Sequence, residues 1–221
     1  HPRGGRHMID PAKLIAGTVA VYGEEKTQKL YGTIVPVPEK RVLIVEDESR
    51  IDFHGRSLLF LDAPGHARHH YCVIDESTNS VFSGDNFGIS YREFDNENGA
   101  FIFPTTTPVQ FDPEAMRKTL DRLLSYNPQA VYLTHFGRVT NVEKLGSDLR
   151  NCLDQLTEMA LDLKQEDRAQ QDNLASGVQQ ILRDRLRKHN CQLPESRQDE
   201  LLAFDYQLNA QGIKVWLDRL D

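Results

Sequence analysis

Three short stretches carry the residue types from which a metal centre can be built. Asp62-Ala-Pro-Gly-His66-Ala-Arg-His69-His70 holds three of the eight histidines, Ser83-Gly84-Asp85-Asn86 offers a carboxylate, and Leu133-Thr134-His135-Phe136-Gly137 offers a further imidazole. Each follows a short apolar run and contains glycine, as loops at strand ends do, where a fixed backbone presents a side chain to substrate. Imidazole and carboxylate form the usual first shell of zinc and also suit iron or manganese. His66, Asp85 and His135 are therefore candidate metal ligands.

Other residues take supporting readings. Adjacent side chains in a strand point to opposite faces, so at most one of His69 and His70 meets the site. His69 is taken as that neighbour, supporting a ligand or facing substrate, with hydrogen-bonded packing as its other reading. Asn86, Phe87 and Tyr91 follow Asp85 directly and are candidates to line a substrate cleft or simply to pack. His54 and His189 read as surface residues.

The elements that must position these groups follow from the apolar pattern. Asp10-Pro11 is a helix start, a capping carboxylate before a proline, and residues 12–30 can continue it. Gly17 and Gly23 weigh against that helix. Residues 41–46, 57–62, 71–75, 80–83 and 130–134 are short apolar runs bounded by turn residues, as strands are. His54-Gly55 and Ser77-Thr-Asn79 supply hairpin turns. Residues 86–110 lack a period and hold Tyr91, Phe94, Phe101, Phe103 and Thr105-Thr106-Thr107-Pro108; a loop of this length is more often functional than not. Asp112-Pro113-Glu114 opens a helix to about Tyr126. Strand, helix, strand in this order predicts a layered α/β fold.

Beyond about residue 141 the period is helical throughout. Leu145, Leu149, Leu153, Leu156, Ala160 and Leu163 share one stripe, while Leu174, Val178, Ile181, Leu182 and Leu186 share another. Leu201, Phe204 and Leu208 suggest a third. Acidic and basic residues alternate on the remaining faces and read as solvated surface.

Composition narrows the function classes. A formal net charge of −7, with Lys and Arg interleaved among Asp and Glu, argues against a nucleic-acid partner. No apolar run approaches the roughly 20 residues of a membrane span, so no membrane role is expected. Cys72, Cys152 and Cys191 are too scattered for a disulfide framework or a cysteine-rich metal site, and they point to a reducing, cytoplasmic setting. No secretory pattern opens the chain.

Taken together and in this order, Ala63-Pro64-Gly65-His66-Ala67, Ser83-Gly84-Asp85 and Leu133-Thr134-His135-Phe136-Gly137 resemble the later metal-binding motifs of the metallo-β-lactamase fold superfamily. The likeness runs over roughly residues 41–137. It implies an αββα sandwich in which His66 binds a first metal, Asp85 bridges two metals at the catalytic centre and His135 binds the second. Two zinc ions are the implied cofactor in the full-length protein, with iron or manganese as alternatives. The implied chemistry is attack by a metal-bound hydroxide on a small ester, thioester, lactone or amide. No side-chain nucleophile is required, which agrees with the lack of a Gly-x-Ser-x-Gly elbow or a Cys-His signature.

The chain departs from that family in one respect. Its upstream signature, His-x-His-x-Asp-His, does not occur in these residues, and His1 and His7 do not match it. The opening looks like the segment that follows the signature. The expectation is therefore an N-terminally incomplete sandwich, inactive as this fragment alone, over residues 1–140, followed by a helical region over residues 141–221. That region has three open roles: capping the cleft, forming a homodimer through the stripe from Leu145 to Leu163, or packing on its own domain. A small-molecule hydrolase is the leading function, and a non-catalytic scaffold that has lost its metal centre is the alternative.

Overall fold

The computed structural model describes residues 1–106 and 109–220. Thr107 and Pro108, part of the loop singled out above, lie outside the described residues. Six strands form one sheet in sequential order: β1 (Arg50–Phe53), β2 (Arg56–Asp62), β3 (Tyr71–Asp75), β4 (Ser80–Gly84), β5 (Ala130–Leu133) and β6 (Arg138–Val139). The β1–β2 turn places His54 and Gly55 at φ 53° and 85°. Two successive positive φ values give a turn whose twist matches that of the flanking strands.

All neighbouring strands are antiparallel except β4 and β5, which are parallel. Their crossover carries the long loop and α4 (Pro113–Ser125), which Asp112 caps by accepting the Ala115 N–H at 3.0 Å. β2 and β4 both oppose β3, so β2, β4 and β5 run the same way. The loops bearing His66, Asp85 and His135 therefore all leave from one edge of the sheet.

The alternation of each strand sorts the two faces of the sheet. Leu59, Leu61, Cys72, Ile74, Val81, Val131 and Leu133 are buried with Leu120 and Leu123 of α4 and with Leu145 and Leu149 of α5 (Val142–Gln165). On the other face Phe60, Val73, Phe82 and Tyr132 lie in register across four strands. Phe82 and Tyr132 stack with ring centroids 4.9 Å apart and remain exposed. Among the described residues there is one sheet, helix-covered on one face, so two of the four layers of an αββα sandwich are present.

The N-terminal segment departs from the expected pattern. In place of one helix over residues 12–30 stand α1 (Pro2–Ile9), α2 (Ala12–Tyr22) and α3 (Glu24–Tyr31), with Gly23 at φ 80° breaking the run. Residues 42–46 form no strand, and Leu43 and Ile44 are exposed. An apolar run becomes a strand only where a neighbour offers backbone partners, and β1 already occupies that edge of β2.

The helical region comprises α5, α6 (Gln171–Lys188) and α7 (Glu195–Leu217). Leu153, Leu156 and Ala160 of α5 pack with Leu174, Val178, Leu182 and Leu186 of α6 and with Leu202, Tyr206, Ala210 and Ile213 of α7. The stripe considered above for a homodimer is thus buried inside the chain from Leu145 to Ala160, and those residues are not free to meet a second copy. α5 contributes to this core and to the sheet core alike. His189, expected at the surface, is buried with its Nε2 3.1 Å from the Phe94 carbonyl oxygen. No helix among the described residues is long and apolar enough to cross a membrane.

Candidate metal centre

The loop after β2 is clamped before it reaches His66. Thr119 Oγ1 of α4 donates to the Pro64 carbonyl at 2.6 Å, and the Asp112 N–H donates to the Gly65 carbonyl at 2.8 Å. Gly65 has φ 139°, and a Cβ there would lie 2.5 Å from the Met116 Cα. Only glycine lets α4 come this close. The His66 N–H then donates to Asn86 Oδ1 at 3.2 Å.

The ring of His66 is oriented by the long loop. Its Nδ1 lies 3.1 Å from the Thr105 carbonyl oxygen. A carbonyl only accepts, so Nδ1 donates, and in the neutral ring the lone pair sits on Nε2. This Nε2 faces Asp85 Oδ2 at 3.6 Å. A lone pair and a carboxylate oxygen repel unless a proton or a cation lies between them.

Asp85 follows Gly84, whose φ of 53° turns the chain out of β4. The Asp85 N–H donates to His70 Nε2 at 3.0 Å, and the His70 Nδ1 lies against the Asn86 side-chain amide. Burial, reinforced by the neighbouring His66 ring, lowers the His70 pKa to about 4, against the opposing pull of Asp85. His70 is thereby held neutral, with Nε2 as an acceptor. The other carboxylate oxygen, Asp85 Oδ1, is buried without a hydrogen-bond partner among the described residues. It faces His135 Nε2 at 3.6 Å.

His135 stands in the turn between β5 and β6, closed by the Leu133 N–H donating to the Gly137 carbonyl at 3.0 Å. Phe136 and Gly137 take φ values of 70° and 90°. A bulky residue in the left-handed region is held there against its own preference, at roughly 1–2 kcal/mol. The Tyr91 ring packs on Phe136 with centroids 4.3 Å apart. Tyr91 in turn donates its hydroxyl to Asp205 Oδ2 of α7 at 2.7 Å.

The three candidate ligands thus meet as a carboxylate between two imidazoles, each oxygen turned to one Nε2. Two donors bonded at about 2.1 Å to one tetrahedral ion stand about 3.4 Å apart, close to the spacing of each pair. The fit is partial. Among the described residues no group of three His, Cys, Asp or Glu side chains is arranged to hold an ion by itself. The orphaned Oδ1 and the facing acceptors suit a cation; the set supplies two donors to each position.

The remaining candidates fall in different places. Asn86 is fully buried, bonding the Ala63 carbonyl and the His66 amide, so it supports the loop and does not reach substrate. Phe87 is likewise buried. His69 is exposed, its ring edge-on to His7 at 6.4 Å, and His70 is the neighbour that meets the site. The reason is that residues 67–70 form a turn ahead of β3, so strand alternation does not apply. His1 bonds Asp62 at 2.9 Å. Cys72 is fully buried, its thiol pushed up to about 12 by desolvation, which makes it inert. Sequence reasoning missed His70, Asp205 and Asn209.

Comparison with known proteins agrees with this fold. The family described as the metallo-beta-lactamase superfamily matches residues 5–135, more than half of the 221. Metallo-beta-lactamase fold-containing protein ST1585 of Sulfurisphaera tokodaii is 32% identical over 102 residues, or 46% of this chain and 35% of that protein. The crystal structure of ST1585, from Sulfolobus tokodaii, has a TM-score of 0.52 at 27% identity, covering 66% of this chain and 50% of that one. Metallo-beta-lactamase family protein TTHA1429 from Thermus thermophilus has a TM-score of 0.56 over 98% of this chain and 63% of that one. At 17% identity, this last likeness is one of fold. The chain spans about a third of the length of the curated relative it matches. With its matching family pattern and a sheet whose strand ends gather His66, Asp85 and His135, the chain belongs to the metallo-beta-lactamase superfamily.

Proposed function

We propose that the protein acts as a metal-dependent hydrolase on a small ester, thioester, lactone or amide. The observation that carries this reading is the Asp85 carboxylate set between His66 and His135, 3.6 Å from each Nε2, with Oδ1 buried and unbonded among the described residues. His66 and Asp85 would hold one ion, and Asp85 and His135 a second, with the other ligands supplied by groups outside this trio. Zinc is the expected metal, and iron or manganese would suit the same donors.

Bound there, a metal ion would supply Lewis acidity, making water a better nucleophile at neutral pH and polarising a substrate oxygen. The chain's own residues orient the donors. The Thr105 carbonyl keeps the His66 proton on Nδ1, which puts the ligating lone pair on Nε2. His70 fixes the Asp85 backbone. His135, half exposed, stands where substrate can approach.

A scaffold without catalysis is the second reading, favoured by the lack of a self-sufficient group of three ligands among the described residues. Equilibrium dialysis of the intact protein against Zn²⁺, together with a panel of ester, thioester, lactone and amide substrates, separates the two. The hydrolase reading expects bound Zn²⁺ and a turnover that His66→Ala and Asp85→Ala abolish. Absence of bound metal, or turnover indifferent to both substitutions, would leave the scaffold.

A further inference from the structure

Two residues one turn apart on α7 connect to the two imidazoles through separate chains of contact. Asp205 accepts the Tyr91 hydroxyl at 2.7 Å, Tyr91 packs on Phe136, and Phe136 adjoins His135 in the strained β5–β6 turn. Asn209 Oδ1 accepts the Thr106 N–H at 2.7 Å, and the Thr106 hydroxyl donates to the Asn209 carbonyl at 2.9 Å. The neighbouring Thr105 carbonyl is the one that receives His66 Nδ1. The Asn209 side-chain amide also donates to the Asp205 carbonyl at 3.0 Å, which ties the two together.

Both residues are buried, 5% and 2% exposed, on the helix face that also buries Leu202, Tyr206, Ala210 and Ile213. Polar groups at such positions persist only where their bonds are satisfied, and here the partners are Tyr91 and Thr106 of the long loop between β4 and α4, which begins at Asp85 and meets the His66 ring at Thr105. The hydrogen-bonding sequence separations are 114 and 103 residues, so these contacts join the helical region to the site. Neither belongs to the apolar helical core, to which α7 contributes Leu202, Tyr206, Ala210, Ile213 and Leu217.

We propose that α7 is a two-point brace for the centre: Asp205 is a positioning residue for His135, acting through Tyr91 and Phe136, and Asn209 is a positioning residue for His66, acting through Thr106 and Thr105. This inference rests on the reading of His66, Asp85 and His135 as metal ligands. It makes the helical region part of the site, setting the angle at which each imidazole meets an ion.

The test uses the intact protein with Zn²⁺ as probe, and metal-free NMR in parallel. Tyr91→Phe, Asp205→Ala and Asn209→Ala are each expected to weaken Zn²⁺ binding about ten-fold, as losses of outer hydrogen bonds to ligands do. Asp205→Asn keeps an acceptor for Tyr91 and is expected to stay within about two-fold. Tyr91→Phe combined with Asp205→Ala should be no worse than either alone. Leu202→Ala, which only loosens the helical core, should lower Tm and leave Zn²⁺ affinity unchanged. In the metal-free protein, Asp205→Ala should weaken the Tyr91–Phe136 ring cross-peak and shift His135, and Tyr91→Phe should shift His135, while Leu202→Ala should do neither. Wild-type Zn²⁺ affinity in Asp205→Ala and Asn209→Ala, or equal weakening in Leu202→Ala, would overturn the brace. If the wild type itself binds no Zn²⁺, the metal reading fails, and the cross-peak alone decides whether the brace exists.

Discussion

His70 Nε2 accepts the backbone N–H of Asp85 at 3.0 Å, so the residue whose carboxylate lies between the His66 and His135 imidazoles is itself anchored by a third imidazole from the turn before β3. The anchor works because Gly84 has no side chain: a Cβ there would lie 2.2 Å from the His70 ring. The first expectation follows from that bond. His70→Leu leaves the Asp85 N–H without its acceptor, at a cost of about 1–3 kcal/mol. Urea unfolding should register this as a lower midpoint at unchanged slope. His70→Gln, which can still accept, should recover part of the loss.

Gly65 is required by the approach of α4. Gly65→Ala places a methyl group against the Met116 backbone at φ 139°, and the loss of stability should be about 3 kcal/mol. Gly17 meets nothing within 4 Å and lies within α2. Gly17→Ala should therefore stabilise, by up to about 1 kcal/mol. Thermal unfolding of the two variants should move Tm in opposite directions.

Asp75 ends β3, and its carboxylate accepts from Arg56, from the Thr78 hydroxyl and from the Ser77 N–H. Arg56 is the main cause of a pKa below the usual carboxylate value, with burial opposing it and Thr78 and Ser77 assisting. A depressed carboxylate stabilises the fold above its unfolded pKa, about 3.9, and that contribution is lost as pH falls through the lower folded value. Asp75→Asn should therefore be less stable than the wild type at neutral pH, and the two should converge in acid. Urea midpoints measured from pH 7 down to pH 2 check this.

That the three candidates share one end of the sheet was legible in the sequence because β2, β4 and β5 are written as compact apolar runs, each followed within four residues by its candidate. What it could not show is which neighbours hold them. Strand alternation admits only one of His69 and His70 to the site, with His69 as the candidate, yet residues 67–70 turn before β3 begins, and it is His70 that bonds Asp85. Asp205 and Asn209 were invisible for a different reason: a polar residue on an amphipathic helix reads as solvated, and only its contact with a loop over a hundred residues away shows otherwise.

The first fifty residues depart from the expected pattern for two separate reasons. Residues 42–46 have the composition of a strand, but a strand is a property of two chains side by side, and β1 already takes the edge of β2. Gly23, which only lowers propensity within one helix, instead adopts φ 80° and divides α2 from α3. Far from that segment, His189 reads as a surface residue, but the Phe94 carbonyl gives it a buried partner.

The central claim is that His66 and His135 present Nε2 to metal on either side of Asp85. Zn²⁺ titration of the intact protein, followed through the ring nitrogen resonances of its histidines, tests it most directly. The account predicts that the Nε2 signals of His66 and His135 shift together, that His54 and His189 stay still, and that Asp85→Ala abolishes both shifts. Zn²⁺ that leaves both rings unmoved, or that moves them equally in Asp85→Ala, would contradict it.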